Sequence, residues 1–278
     1  MNDIRIYGFA DEASPKIDKQ IDAMQRNGLD GLEIRNVDGI NVSDIGFNKA
    51  KEVKSKLDNA GLSIWSIGSP IGKINIKDDF IPHLEKFKHT LELADILGAK
   101  NIRIFSFYID NNEFDSSKNE IIDRLGKFCD VAKGSGIYLC HENEKGIYGD
   151  IPERCLEIHA ALPSLKGVFD PANFVQCGAD TLNAWEMLKS HIHYMHIKDS
   201  RSDGSIVPAG FGSGNLKEIV GEYISNGGSF FTIEPHLTVF DGLKALEREG
   251  DTSNIGEFKF SDADTAFDAA CEAFKKLI

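Results

Sequence analysis

"FIPHLEKFKHTLELADILGAKNIRIFSFY", residues 80–108, changes its hydrophobic period part-way through. Leu84, Phe87, Leu91 and Ala94 recur every three or four residues, which predicts a helix with one apolar face. Gly98 then supplies a stop signal, and "NIRIFSFY" follows with the β-rich composition of a buried strand. The same order recurs through the chain, with Gly28, Gly61 and Gly136 each closing a helical run ahead of a strand. Strands are predicted at 4–10, 31–36, 62–70, 101–108, 137–143, 165–173, 192–200 and 230–236. Eight such βα repeats in 278 residues predict an α/β protein, a single-domain (β/α)8 TIM barrel spanning 1–278. A doubly wound sheet would want a glycine fingerprint after the first strand, where "FADEASP" stands instead. The one irregular connection is a long stretch after the eighth strand, about 237–261, expected to be a lid or a subunit contact.

A formal charge of −13 repels phosphate backbones, so nucleic acid is excluded as the expected partner. Nowhere do about 18 apolar residues run together, so no membrane span is expected. The N-terminus shows no basic region followed by an apolar stretch, so no signal peptide is expected. Five scattered cysteines without a CxxC pair disfavour disulfides and structural zinc, and suit a reducing cytoplasm.

On this fold, chemistry lies at the C-terminal ends of the strands, on the residues that point inward. In "HIHYMHIKDS" (191–200), Tyr194, His196 and Lys198 share one face, so the three histidines do not form a cluster. His191 and His193 are expected to be structural. The neighbouring strands end in Glu142 ("YLCHEN"), Asp170 ("KGVFDPANF") and Glu234 ("FFTIEPH"). Four consecutive strands thus deliver Glu, Asp, His and Glu at one height. Three carboxylates so placed repel one another unless a cation joins them. A divalent ion would do so, and the oxygen-rich set suits Mn2+ best, with Mg2+, Co2+ or Zn2+ open. The other reading is that Lys198, Arg103 and Arg35 neutralise the carboxylates as ion pairs.

The motifs "CHEN", "FDPANF", "HIKDS", "VPAGFGSGN" and "TIEPHL", with "GFADE", "EIR" and "SPIGK" upstream, are similar to those of the xylose isomerase-like TIM barrels, the sugar phosphate isomerase/epimerase group. The resemblance spans essentially the whole chain. It implies a divalent metal held by Glu142, Asp170, His196 and Glu234. It also implies that the two glutamates move a proton between faces of a sugar. The chain departs from the ketose epimerases at Asn173, where they carry a histidine, and at Tyr148, where they carry a glutamate.

The expected chemistry is proton abstraction next to a carbonyl, through an enediolate, giving an epimer or an aldose–ketose isomer. Glu142 and Glu234 are the expected base and acid, in either order, and Lys198 the expected helper for oxyanion charge. Arg35, Lys73, Asn173 and His236 are the expected substrate-binding residues. His141 is expected to face the helices, Glu144 to be a pocket or solvated residue, and Glu33 to bind hydroxyls or close an ion pair. Asp199 is read as orienting a neighbour. The glycine-rich "PAGFGSGN" (208–215) is a candidate phosphate cradle or a structural loop. Trp65, Phe105, Phe107 and Tyr108 are candidates for an apolar wall against the sugar.

The alternatives are a lyase acting on a 3-keto glycoside by β-elimination, and a non-catalytic sugar-binding protein. A DNA repair endonuclease of this fold would need a histidine-rich three-metal site and a basic groove, which Asn173 and the −13 charge oppose. The expected partner is a small sugar or sugar derivative, with a homo-oligomer or a small partner subunit open.

Overall fold

The structure, a computed structural model, describes residues 3–110, 113–240, 254–255 and 258–278. The predicted barrel is present. Its strands are β1 (Arg5–Gly8), β2 (Gly31–Ile34), β3 (Ser63–Gly68), β4 (Asn101–Ile104), β5 (Tyr138–Glu142), β6 (Lys166–Phe169), β7 (Ile192–Ile197) and β8 (Phe230–Ile233). Each pairs in parallel with its sequence neighbours, and β1 pairs with β8 to close the ring. Each strand is shorter than the β-rich run around it, because the last residues of each run have left the ladder to build the mouth.

The helices form the outer layer: α1 (Ile17–Arg26), α2 (Phe47–Asn59), α3 (Phe80–Leu97), α4 (Phe114–Ala132), α5 (Pro152–Ala161), the short α6 (Pro171–Gln176), α7 (Thr181–Leu188), α8 (Leu216–Ser225) and α9 (Ala263–Lys275). The helix read from residues 80–97 is α3. Asp79 caps its start by accepting the amide N–H of Ile81 at 3.0 Å, and Gly98 ends it in the left-handed conformation at φ +74°. The larger hydrophobic core fills the shell between strands and helices, where Phe87, Phe107 and Phe128 pack among α3 and α4.

A second, smaller core lies inside the barrel, formed by Cys140, Val168 and Tyr194 with Trp65 and Phe230 against them. At the floor, Trp65 stacks on Phe230 with ring centroids 4.0 Å apart and on Tyr7 at 5.5 Å. Two bulges shape this end: Trp65 is passed over in the β2–β3 register and His193 in the β6–β7 register. At Gly31 the strands approach so closely that a Cβ would lie 1.8 Å from the carbonyl oxygen of Ser63.

Among the described residues no helix is long and apolar enough to cross a membrane, and all five cysteines are free. Most of the long connection expected at 237–261 lies outside the described residues.

Candidate metal centre

The inward positions at the C-terminal ends of β5 to β8 carry the predicted cluster. Glu142 ends β5, Asp170 directly follows β6, His196 lies near the end of β7 and Glu234 directly follows β8. All four are buried, and one ligand atom from each lies within 4.8 Å of the others. His196 Nδ1 is 3.0 Å from Glu142 Oε1 and 3.3 Å from Glu234 Oε2. A divalent cation with bonds near 2.1 Å holds its ligand atoms about 3 to 4 Å apart, so this spacing fits one ion. Asp170 Oδ2 adds a second sign of fit: it is buried and makes no hydrogen bond, although Lys198 Nζ lies 2.8 Å away.

The ligand atoms are aimed by a further set of contacts. Glu33 accepts from His196 Nε2 at 3.0 Å, which turns Nδ1 toward the cluster. The same carboxylate accepts the Tyr194 hydroxyl at 2.9 Å and the Ser66 hydroxyl at 3.3 Å. Asn143 brackets Asp170, donating to its carbonyl and accepting its N–H, each at 2.9 Å. Asn173 donates through Nδ2 to Glu142 Oε1 at 3.3 Å and to the Asn143 carbonyl at 2.9 Å. Asp170 also caps α6 by accepting the Asn173 N–H at 3.0 Å, which fixes its Oδ1.

Three buried cations face these carboxylates, so both sequence readings describe the same group of atoms. Arg103 donates to Glu142 Oε2 at 3.0 Å. Arg35 donates to Glu234 Oε1 at 3.2 Å and to Asp11 and Glu12 behind it. Lys198 Nζ lies against Asp170 Oδ2 and, at 3.2 Å, Glu234 Oε2. Burial would raise Glu142, but His196 and Arg103 hold its carboxyl down at about 2. Burial opposes Glu234 too, and there Lys198 and His236 hold it well below the usual range. For Asp170 burial wins over Lys198 and pushes the carboxyl up to about 7. The imidazole of His196 is disfavoured as a cation by burial, yet Glu142 and Glu33 raise it well above its ordinary value.

Lys73, on the loop after β3, pairs with Glu144 at 3.1 Å and lies 4.4 Å from the centre of the Phe105 ring, whose other neighbour is Arg103 at 4.6 Å. His236 stands at the mouth in the left-handed conformation, φ +46°, with its N–H donated to Glu12 Oε2 at 2.7 Å. Its Nε2 faces Glu12 Oε1 and Glu234 Oε1. Arg35 donates to both of those oxygens, so a guanidinium already fills that second acidic pocket.

Other expectations resolve differently. Trp65 belongs to the floor, away from the cluster, and Phe107 to the outer core. Of the aromatic candidates, Phe105 packs on the site cations. The glycine loop is no open phosphate cradle. The amides of Gly210, Gly212 and Gly214 already donate to Asp199, at 2.9 to 3.0 Å. His141 faces outward to the Ser106 hydroxyl at 3.0 Å. Tyr148 points at Glu157 on α5 and brings no group to the mouth. Asp11, Glu12 and Asn143 escaped the strand-by-strand reading. The acidic pair immediately after an apolar first strand was the signal available for two of them.

The family profile of the xylose isomerase-like TIM barrels matches residues 21–251. The chain belongs to this family. A 3-dehydroshikimate dehydratase of Bacillus anthracis is 22% identical over 179 residues, 63% of this chain and 64% of that protein's length. Among solved structures, a D-allulose 3-epimerase from Methylomonas superposes with a TM-score of 0.76 at 16% identity, covering 100% of this chain and 99% of that one. The IOLI protein with a bound zinc atom superposes with a TM-score of 0.74 at 16% identity, covering 99% of this chain and 98% of that one. At these identities the superpositions speak for the fold.

Proposed function

We propose that the chain is a divalent-metal-dependent sugar isomerase or epimerase that works by removing a proton next to a carbonyl. The observation that carries this reading is the convergence of Glu142, Asp170, His196 and Glu234 at the barrel mouth. A cation bound by these four residues would supply a Lewis acid beside the substrate's oxygens. Manganese suits the three carboxylates and one imidazole best. The zinc atom in the superposed IOLI structure supports a divalent ion in general.

Glu142 and Glu234 approach the same imidazole nitrogen from opposite sides of β7, which suits them to act on the two faces of one substrate. One removes the proton from the carbon next to the carbonyl, leaving an enediolate, and the other returns a proton. Return to the opposite face of that carbon gives an epimer, and return to the neighbouring carbon an aldose–ketose isomer. Lys198 stabilises the oxyanion, Lys73 and His236 hold hydroxyls or an anionic group at the rim, and Arg35, expected to bind substrate directly, instead braces Glu234 from behind. Asn173 orients Glu142 and offers its Oδ1 to the substrate. The free cysteines suit a reducing compartment such as the cytoplasm.

A lyase is the second reading, favoured by the dehydratase among the relatives. β-Elimination begins with the same proton removal and then expels a group from the neighbouring carbon.

Two measurements test the proposal. Protein purified without chelator is expected to hold about one divalent ion per chain by mass spectrometry, and Glu234→Gln to hold much less. The metal-loaded protein is expected to exchange a C–H of a ketose or 3-keto glycoside with D2O. Isomer formation separates the first reading from elimination. Failure to take up Mn2+, Co2+, Zn2+ or Mg2+ would sink both.

A further inference from the structure

Resting on the metal reading above, the pattern of which oxygen holds which cation separates the three buried cations into two kinds. The Glu142 and Glu234 oxygens that face His196 Nδ1 are Oε1 of Glu142 and Oε2 of Glu234. These are the inner oxygens of the cluster. Arg103 grips Glu142 by the other oxygen, Oε2, and Arg35 grips Glu234 by the other oxygen, Oε1. Asp170 has Oδ1 tied to the Asn173 N–H, so Oδ2 is its inner oxygen. Lys198 Nζ lies against Asp170 Oδ2 and Glu234 Oε2, both inner.

We propose that Lys198 holds the place of the metal ion and is displaced when the ion binds, whereas Arg35 and Arg103 stay as permanent braces on the outer oxygens. An ion bound on these oxygens would repel an ammonium held against two of them, Nζ being 2.8 Å from Asp170 Oδ2 and 3.2 Å from Glu234 Oε2. The lysine stem is flexible and carries its charge at one point, so it can swing away. Each arginine lies over an aromatic ring, Arg35 4.3 Å from the centre of Phe9 and Arg103 4.6 Å from that of Phe105. Metal loading thereby frees an ammonium beside the reacting carbon. An apo protein keeps that charge masked.

The test is metal affinity by calorimetry on the chelator-stripped full chain, titrated with Mn2+. Lys198→Met is expected to bind at least tenfold more tightly than wild type, because no resident cation is displaced. Arg103→Gln is expected to bind more weakly, because Glu142 loses its brace. Crystal structures of stripped and Mn2+-loaded wild type need no variant, and Lys198 Nζ is expected to leave Asp170 Oδ2 on loading. Unchanged or weaker binding by Lys198→Met, or a lysine still on Asp170 in the loaded crystal, overturns the displacement while leaving the metal site intact. A wild type that takes up no Mn2+ overturns it together with the functional reading.

Discussion

His193 and His196 lie on the same strand, yet their surroundings drive them in opposite directions. His193 stands at the barrel floor among Trp65, Tyr138 and Tyr194, where burial lowers its affinity for a proton and Lys166 adds to the effect. His196 lies three residues further along the strand, between Glu33 on one side and Glu142 and Glu234 on the other, and those carboxylates raise it despite complete burial. The floor is a stack of rings that resists charge. The mouth is a set of charges held in place by one another. On one scaffold, these two ends divide stability from chemistry.

That division can be broken most forcefully from the mouth. Asp170→Asn is expected to lower kcat/KM by about 10³-fold, within the range for losing a group of the reacting site. Its metal-free melting temperature should fall only modestly, since the buried Lys198 ammonium loses the carboxylate of Asp170 but keeps that of Glu234. A large fall in melting temperature would mean that the mouth also carries the fold. From the floor the reverse is expected. Trp65→Ala should cost about 2 kcal/mol of stability through lost stacking and burial, read by urea denaturation. Metal affinity and turnover per folded molecule should not change, and a loss in either would couple the two ends.

The subtlest effect is in pH. A raised histidine contributes stability below its unfolded value of about 6.5, and the contribution fades as pH climbs through the folded value. The stability penalty of His196→Gln in the metal-free chain should therefore be largest near pH 6 and shrink toward alkaline pH. A lowered histidine does the opposite, so the penalty of His193→Gln should be largest above neutrality and shrink as the solution is acidified below about pH 6.5. Parallel denaturation profiles for the two variants would erase the electrostatic contrast between the ends.

The barrel was legible because helix period, glycine stop and strand recur eight times, and each repeat needs the next to cover its apolar face. The four cluster residues were legible because alternation holds at the upper ends of β5 to β8. Trp65 was misplaced in height rather than direction: it points into the lumen, but from the first half of β3, so it lies at the floor and not at the mouth. Asp11 and Glu12 lie in a 3-10 turn after β1, where no period exists to read. Asp199 could be assigned a face but not its partners, because the glycine amides it gathers come from 11 to 15 residues further along the chain.

The ring stack at the floor has one more consequence. With Trp65 lying on Phe230 and Tyr7, and Cys140, Val168 and Tyr194 above, side chains pack the lower end of the barrel lumen. In the proposed reaction, ion and substrate would both reach the site from the mouth. An ion lying deeper than the substrate would have to bind first, so the packed floor would give the proposed reaction an order of entry.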